Sequence, residues 1–211
     1  MKISIPLLIL TLCFGMISND ALAQRNPTER SRKLGIVGQP APQWNTSKWH
    51  NATGKELPNI GDYKGKVLYL YFFQSWCPGC HKIGFPTMKK VSEAFEGEDG
   101  VEFVAIQTTF EGHSINNADK LKEISEKYEL AIPFGQSAET SGTPDIMKKY
   151  RTGGTPWVVI VDPQGRVVFN DFHVDADAAI KGIRQMKPTK QKALSRNASP
   201  TARKSIATKV N

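Results

Sequence analysis

Three apolar runs along the chain predict the central strands of a sheet. They lie at Val67–Phe73, Val101–Ile106 and Trp157–Asp162, and apolar residues occupy most consecutive positions in each. A strand that is covered on both faces has this pattern, whereas a strand with one solvent-exposed face alternates between apolar and polar residues. The run Val167–Phe172 follows the tight turn Pro163–Gly165, which predicts an antiparallel hairpin with the third strand.

Helices are predicted between and after these strands, at residues 79–96, 119–130, 145–150 and 175–186. In the second of them, Leu121, Ile124 and Tyr128 recur at helical spacing with charges between them. Pro86 should kink the first helix, and Asp175 is the predicted cap of the last. The order of elements predicts an α/β fold, in which a mixed sheet has helices on both faces.

The ordered domain should extend from residue 37 to residue 186, with an N-terminal β extension before the first central strand. Gln43–Trp49 and Glu56–Ile60 are predicted as short strands or extended segments. Gly54 lies between them and supplies a turn, so a hairpin is one option. Residues 24–36 are polar and charged, which predicts a flexible lead-in.

The first 23 residues have the pattern of a secretory signal peptide. A short basic start precedes an apolar stretch over residues 3–17, and Ala21-Leu22-Ala23 has the small-x-small form of a cleavage site. A membrane anchor is the alternative, but the apolar stretch is shorter than the roughly 18 residues that a span needs. We therefore expect an exported, periplasmic or extracytoplasmic protein with no stable membrane span after cleavage.

The formal net charge of +8 belongs mainly to the C-terminal tail. Residues 187–211 contain seven Lys and Arg and no acidic residue, whereas residues 24–186 contain 20 basic and 19 acidic side chains. The domain itself is nearly neutral, so its charge does not indicate a nucleic-acid-binding protein. The tail has few large apolar residues and is predicted to be disordered, with binding to acidic partners or membrane surfaces as the alternative.

Two cysteines, Cys77 and Cys80, remain once Cys13 is removed with the signal segment. They follow the first central strand at the point where a helix should begin. A disulfide between them closes too small a loop to stabilise a fold much, so the pair is interpreted as reactive. A helix N-terminus favours the thiolate of Cys77, and Pro78 suits the first helical turn. Cys80, one turn further, should be more buried and act as the resolving thiol.

Metal or haem binding is an alternative use of these cysteines. Zinc requires two further Cys or His ligands, and His50, His113 and His173 show no ligand spacing. The segment Cys77–His81 does match the C-x-x-C-H motif of haem attachment, but the hydrophobic strand before it and the α/β pattern after it favour a redox pair. The small loop disfavours an inert disulfide. We therefore expect neither a metal nor a cofactor.

Two motifs together resemble the thioredoxin superfamily. One is Trp76-Cys77-Pro78-Gly79-Cys80 after a strand, and the other is Gly153-Gly154-Thr155-Pro156 before a later strand. The lead Val37–Pro42 and the region Tyr63–Phe73 resemble its exported branch of TlpA/ResA-like thiol–disulfide oxidoreductases, which is related to the AhpC/TSA redoxin group. The resemblance covers about residues 37–186 and implies a thioredoxin-like fold.

The resemblance also implies a site. It implies a cis peptide between Thr155 and Pro156 that faces the cysteines, and pairing of the residue before the proline with the substrate backbone. It implies catalysis by Cys77 and Cys80, which would form the redox-active disulfide. The implied substrate-binding residues are Trp76, Pro78, Gly79, Thr155 and Pro156. The partners would be protein thiol or disulfide substrates and an upstream electron donor or acceptor, and we expect a monomer.

The chain departs from this family at two positions. Thioredoxins of the cytosolic type carry a buried Asp in the strand before the motif, where this chain has Tyr71. ResA-like reductases place a Glu in the helix just before a Phe-Pro pair, where this chain has Ile83-Gly84. Both familiar proton-handling carboxylates are therefore missing. His81 is either a substitute near the thiols or a solvated residue of the helix.

The predicted function is disulfide exchange with protein substrates, in the reductive direction. A thiol-dependent peroxidase of the redoxin group is one alternative. The Pro-x-x-x-Thr/Ser-x-x-Cys loop of such peroxidases does not match, because Leu70 and Gln74 occupy its Pro and Thr/Ser positions. A non-catalytic interaction module with a thioredoxin-like fold is the other alternative.

Overall fold

A six-stranded mixed sheet runs through the computed structural model, which describes residues 34–52, 58–138 and 142–188. The strands are β1 (Thr46–His50), β2 (Val67–Phe73), β3 (Val101–Gln107), β4 (Phe134–Ser137), β5 (Trp157–Val161) and β6 (Val167–Asp171). Their order across the sheet is β1-β4-β3-β2-β5-β6. β2, β3 and β4 are parallel to one another, whereas β1, β5 and β6 each run antiparallel to their neighbours.

Helical segments connect these strands. The α-helices of the described ranges are α1 (Phe85–Glu93), α2 (Asp119–Tyr128), α3 (Asp145–Tyr150) and α4 (Ala176–Met186). A 3₁₀-helix spans Ile60–Tyr63, and a π-helical turn spans Cys80–Gly84 directly before α1.

The central strand β2 separates two layers of core, because its successive side chains point to opposite faces of the sheet. One layer lies under α1, α2 and α4, and the other lies under α3. The β2 residues of the first layer are Val67, Tyr69, Tyr71 and Phe73, and those of the second are Leu68, Leu70 and Phe72. All seven residues of β2 are buried. The prediction of a mixed sheet with helices on both faces is therefore confirmed.

Most predicted elements are confirmed with small shifts of their ends. β3 runs one residue further than predicted, to Gln107, and α3 has the predicted bounds. α4 begins after its predicted cap, since the Asp175 side chain accepts a hydrogen bond from the Ala178 N–H at 2.8 Å. The predicted helix over 119–130 ends at Tyr128, because Glu129 adopts the left-handed conformation with a φ of 52°.

The helix predicted over residues 79–96 changes its hydrogen-bonding pattern along its length. After a short α-helical start at Pro78-Gly79, the Phe85 N–H donates to the Cys80 carbonyl, which closes the π-helical turn, and α-helical bonding resumes at Phe85. Pro86 lies at the start of α1, where its missing N–H is tolerated. The helix then ends at Glu93. The proline thus marks a change of helix type, which the prediction of a simple kink did not include.

The N-terminal β extension is a strand at the edge of the sheet. β1 pairs antiparallel with β4, so the hairpin option is wrong for the described residues. The prediction of an extended segment over Glu56–Ile60 is also wrong at its end, because Ile60–Tyr63 forms the 3₁₀-helix. The Asn59 side chain accepts from the Ile60 N–H at 2.8 Å, which caps this helix. Residues 53–57, with the predicted turn, lie outside the described residues.

The fold begins earlier than residue 37. Ile36 is buried, and the Gly35 N–H donates to the Arg151 carbonyl at 2.9 Å, so the end of the predicted flexible lead-in belongs to the domain. The remaining lead-in, the predicted signal peptide and the tail beyond residue 188 lie outside the described residues. Among the helices that the structure describes, none is both long and apolar enough to cross a membrane.

Replacing the α4 cap tests how firmly this helix is held. Asp175→Ala removes the acceptor for the Ala178 N–H and should lower the free energy of unfolding by about 1 kcal/mol in urea titrations. Asp175→Asn keeps an acceptor oxygen and serves as the matched control, with a change of less than about 0.5 kcal/mol. Equal losses in both variants would contradict the capping role.

Candidate active site

Cys77 lies where β2 leaves the sheet and a helical segment begins. β2 ends at Phe73, the chain turns through Gln74–Trp76, and Pro78 is the first helical residue. The Cys77 N–H donates to the Gln74 carbonyl at 3.1 Å, which closes the turn. Cys77 therefore occupies the position before the first helical turn, where unpaired N–H groups favour negative charge.

The two thiols are adjacent but differ in exposure. Both cysteines are free thiols, and the Cys80 N–H donates to the Cys77 Sγ at 3.3 Å. Cys77 is 7% exposed, whereas Cys80 is 0% exposed. Burial raises the pKa of the Cys80 thiol to about 12, and the neighbouring Cys77 thiol adds to this effect. Cys80 is therefore protonated near neutral pH, and Cys77 is the thiol that an incoming molecule can reach.

The segment Thr155–Pro156 lies against the cysteines. Its peptide bond is cis, as the resemblance implied. The Cys77 thiol donates to the Thr155 carbonyl at 3.6 Å. A Cβ added at Gly79 would lie 3.2 Å from the Pro156 Cδ and 4.0 Å from the Cys77 Sγ. Gly79 thus allows the proline ring to approach the first helical turn closely.

The remaining predicted site residues, Trp76 and Pro78, are exposed beside Cys77. The Trp76 side chain is 43% exposed. Its indole Nε1 would lie 3.4 Å from a Cβ added at Gly112, so it borders the loop between β3 and α2. The structure therefore brings the predicted site residues together around Cys77, and their roles in binding a substrate stay predictions.

A buried asparagine that the sequence did not single out holds the turn before Cys77. Asn116, in the loop between β3 and α2, accepts hydrogen bonds from the N–H and the hydroxyl of Ser75, each at 2.7 Å. Its amide donates to the Gln74 side chain at 3.1 Å and to the Glu111 carbonyl at 3.0 Å. The loop and the cysteine turn are thereby joined. Asn116 stands among other polar residues, so no sequence pattern distinguishes it.

His81 makes hydrogen bonds at both of its ring nitrogens, so it is not simply a solvated residue of the helix. It is half-buried, its Nε2 donates to the Ser75 carbonyl at 2.5 Å, and its Nδ1 lies 2.7 Å from the Tyr128 hydroxyl. Its ring also stacks on Tyr128. The imidazole therefore ties the helical segment to the cysteine turn and to α2. Within the described ranges, no cluster of three His, Cys, Asp or Glu side chains could hold a metal ion.

Tyr71 and Gly84, at the two positions without a carboxylate, contact each other. The Tyr71 side chain is fully buried, and its hydroxyl donates to the Cys80 carbonyl at 3.4 Å. Gly84 is buried against that hydroxyl, while its neighbour Ile83 is 44% exposed. A polar group thus reaches Cys80 from the strand, although it is a phenol instead of a carboxylate.

Comparison with known proteins finds thiol–disulfide oxidoreductases among the relatives of this chain. The model of the AhpC/TSA family matches residues 37–170. The thiol-disulfide oxidoreductase ResA of Bacillus thuringiensis is 28% identical over 127 residues, which cover 54% of this chain. This chain spans 66% of the length of that relative.

Two solved structures share the architecture of this chain. A thioredoxin-like superfamily protein matches with a TM-score of 0.64 and 28% identity, over 71% of this chain and 99% of the other. A thiol-disulfide isomerase from Corynebacterium glutamicum matches with a TM-score of 0.62 and 27% identity, over 71% of this chain and 97% of the other. The predicted thioredoxin-like fold is confirmed.

The difference between the two thiols can be measured by alkylation. In the reduced protein near neutral pH, iodoacetamide should modify Cys77 at least about 100-fold faster than Cys80, because only the thiolate reacts. Since burial raises the pKa of Cys80 to about 12, its rate should rise about tenfold for each unit of pH up to that value. Mass spectrometry of the two cysteine peptides over time measures both rates. Equal rates near neutral pH would contradict the assigned difference.

Proposed function

Because the chain belongs to the AhpC/TSA family, we propose that it is a thiol–disulfide oxidoreductase that exchanges disulfides with protein substrates through Cys77 and Cys80. The observation that carries this proposal is the contact between a thiol with 7% exposure and a fully buried one, in which the Cys80 N–H lies 3.3 Å from the Cys77 Sγ. The ResA relative and the Corynebacterium structure, both named for thiol–disulfide chemistry, support it.

The reaction proceeds in two exchange steps. In the first, the Cys77 thiolate attacks one sulfur of a substrate disulfide, and the other substrate sulfur leaves and takes up a proton. In the second, Cys80 attacks the Cys77 Sγ of the mixed disulfide and the substrate leaves as its second thiol. Two electrons pass from the cysteine pair to the substrate. An upstream thiol donor then restores the dithiol.

Cys77 and its surroundings suit an extended substrate segment. Thr155 presents its backbone beside the Cys77 thiol, and a substrate strand that pairs with this backbone would place its sulfur at Cys77. Trp76 and Pro78 supply exposed apolar surface beside Cys77. Gly79 and Pro156 pack closely together next to the Cys77 sulfur. These five residues are the proposed substrate-binding surface.

The proposed direction is reductive. A dithiol pair becomes a strong oxidant when its reduced form is stabilised. Burial raises the pKa of Cys80 to about 12, so Cys80 itself adds no stabilised thiolate to the reduced form. The direction then depends on how far the site stabilises the thiolate of Cys77. The signal-like pattern of residues 1–23 supports export, where such a protein would act as a monomer on proteins outside the cytoplasm.

Peroxide reduction is a second candidate, and membership of the AhpC/TSA family favours it. Reduction of a peroxide requires polar groups that activate the attacking cysteine and the peroxide. Leu70 and Gln74, at the positions of the peroxidase Pro and Thr/Ser, are both buried. The amide of Gln74 is bonded to Asn116 instead. We therefore rank protein disulfide exchange above peroxide reduction.

Single cysteine variants test the proposal. The wild-type protein should catalyse reduction of insulin disulfides by dithiothreitol, and Cys77→Ser should reduce the rate to the uncatalysed background. Cys80→Ser keeps the attacking thiol and should accumulate a mixed disulfide with the substrate, visible on non-reducing gels.

Two results would contradict the proposal. One is a wild-type rate equal to that of Cys77→Ser, which would favour a non-catalytic module. The other is fast consumption of hydrogen peroxide with a dithiol donor and no insulin reduction, which would favour the peroxidase.

A further inference from the structure

Tyr71 lies between the sheet and the turn that carries Cys80. Its ring stacks on Phe73 and meets the edge of Phe85, with ring centroids 6.1 and 5.1 Å away, and it is fully buried. These neighbours fix the ring so that its hydroxyl points at the π-helical turn. There the hydroxyl donates to the Cys80 carbonyl at 3.4 Å.

Gly84 makes room for this hydroxyl. A Cβ added at Gly84 would lie 1.9 Å from the Tyr71 Oη and 2.6 Å from its Cζ, which no real contact allows. The backbone of Gly84 is ordinary helix with a φ of −63°. The glycine is therefore required for space and not for its conformational freedom. Tyr71 and Gly84 are fitted to each other at the cysteine turn.

The hydroxyl has two acceptors within reach at Cys80. One is the carbonyl, which accepts at 3.4 Å, and the other is the thiol of the same residue, whose pKa a hydrogen bond from this hydroxyl lowers. The carbonyl already accepts the Phe85 N–H of the π-helical turn. The hydroxyl can therefore turn from the carbonyl to the sulfur without leaving a buried acceptor unpaired, which would otherwise cost free energy.

We propose that the Tyr71 hydroxyl is a catalytic hydrogen-bond donor to the Cys80 sulfur in the resolving step, an assignment that rests on the proposed exchange reaction. In this step the Cys80 S–H bond breaks, a bond forms from the Cys80 sulfur to the Cys77 sulfur, and the bond from Cys77 to the substrate sulfur breaks. The proton that Cys80 loses is balanced by the one that the leaving substrate thiolate takes up. Tyr71 keeps its own proton throughout.

The pKa shifts of Tyr71 and Cys80 are consistent with a hydrogen-bond donor at the Tyr71 hydroxyl. Burial raises the pKa of the Tyr71 phenol well above its ordinary value, so it stays protonated and able to donate. Burial also raises the pKa of Cys80, whereas the Tyr71 hydrogen bond acts in the opposite direction. The titratable groups that face this pair are Cys77, Tyr69 and Tyr128. A hydrogen bond to a charged acceptor is stronger than one between neutral groups, so the hydroxyl favours the thiolate.

Tyr69 supplies a matched control on the same strand. It is two residues before Tyr71, on the same face of β2, and is also fully buried. Its hydroxyl has no hydrogen-bond partner among the described residues. Tyr69→Phe and Tyr71→Phe therefore remove the same atom from the same core layer, and only the second removes a contact with Cys80.

Ellman's reagent separates the two exchange steps in the full chain. The reduced protein releases one thionitrobenzoate when Cys77 attacks and a second when Cys80 resolves the mixed disulfide. Tyr71→Phe should leave the first phase within about twofold and slow the second about tenfold near neutral pH. The pH at which the second phase reaches a given rate should rise in Tyr71→Phe, because the thiolate has lost a donor. Tyr69→Phe should change neither phase.

Gly84→Ala tests the same contact from the helix. The added methyl group displaces the hydroxyl while the phenol remains, so the second phase should slow as it does in Tyr71→Phe. Circular dichroism of each variant checks that the fold is kept. A second phase in Tyr71→Phe as fast as in Tyr69→Phe would overturn the assignment. A wild-type protein without a second phase would instead overturn the proposed exchange reaction itself.

Discussion

Burial of β2 on both faces is the constraint on which the rest of the structure depends. Its alternating side chains fill both core layers, and each large apolar side chain contributes about 1.5–3 kcal/mol by leaving water. Parallel pairing with β3 and antiparallel pairing with β5 fix its position in the sheet. Phe72 pairs with Trp157, the residue after Pro156, so the register that buries β2 also sets Thr155–Pro156 opposite Cys77. The geometry of the site is therefore a consequence of sheet packing.

The same packing makes the two cysteines chemically different. Cys77 follows the end of β2 and keeps 7% exposure, whereas Cys80, one helical turn later, is fully buried in the core beside Tyr71. The Cys77 sulfur is therefore the one that a substrate disulfide can approach, and the Cys80 sulfur can reach only its neighbour. Burial also disfavours the thiolate of Cys80, so the resolving step benefits from a hydrogen-bond donor in the core. Tyr71 supplies one from the strand, in a place that Gly84 leaves open.

The sequence predicts this fold and the position of the thiol pair because both depend on local patterns. Apolar runs mark buried strands, and the spacing of Cys77 and Cys80 after such a run indicates redox chemistry. The contacts that refine the site are tertiary and carry no local pattern. The resemblance marks Tyr71 and Gly84 only as positions that lack a carboxylate, and no local pattern shows that these residues, 13 positions apart, touch each other. Asn116 is one of many polar loop residues. The pairing of β1 with β4 depends on which strand lies at the edge of the folded sheet.

The reduction potential of the Cys77–Cys80 pair tests the central claim most directly. It is measured by equilibrating the protein with graded dithiothreitol or glutathione buffers and following the fraction of disulfide. The proposed reductive direction predicts a single two-electron transition nearer to the value of thioredoxin, about −270 mV, than to that of DsbA, about −120 mV. A value close to that of DsbA would contradict the reductive direction. The absence of any transition would contradict thiol–disulfide exchange by this pair.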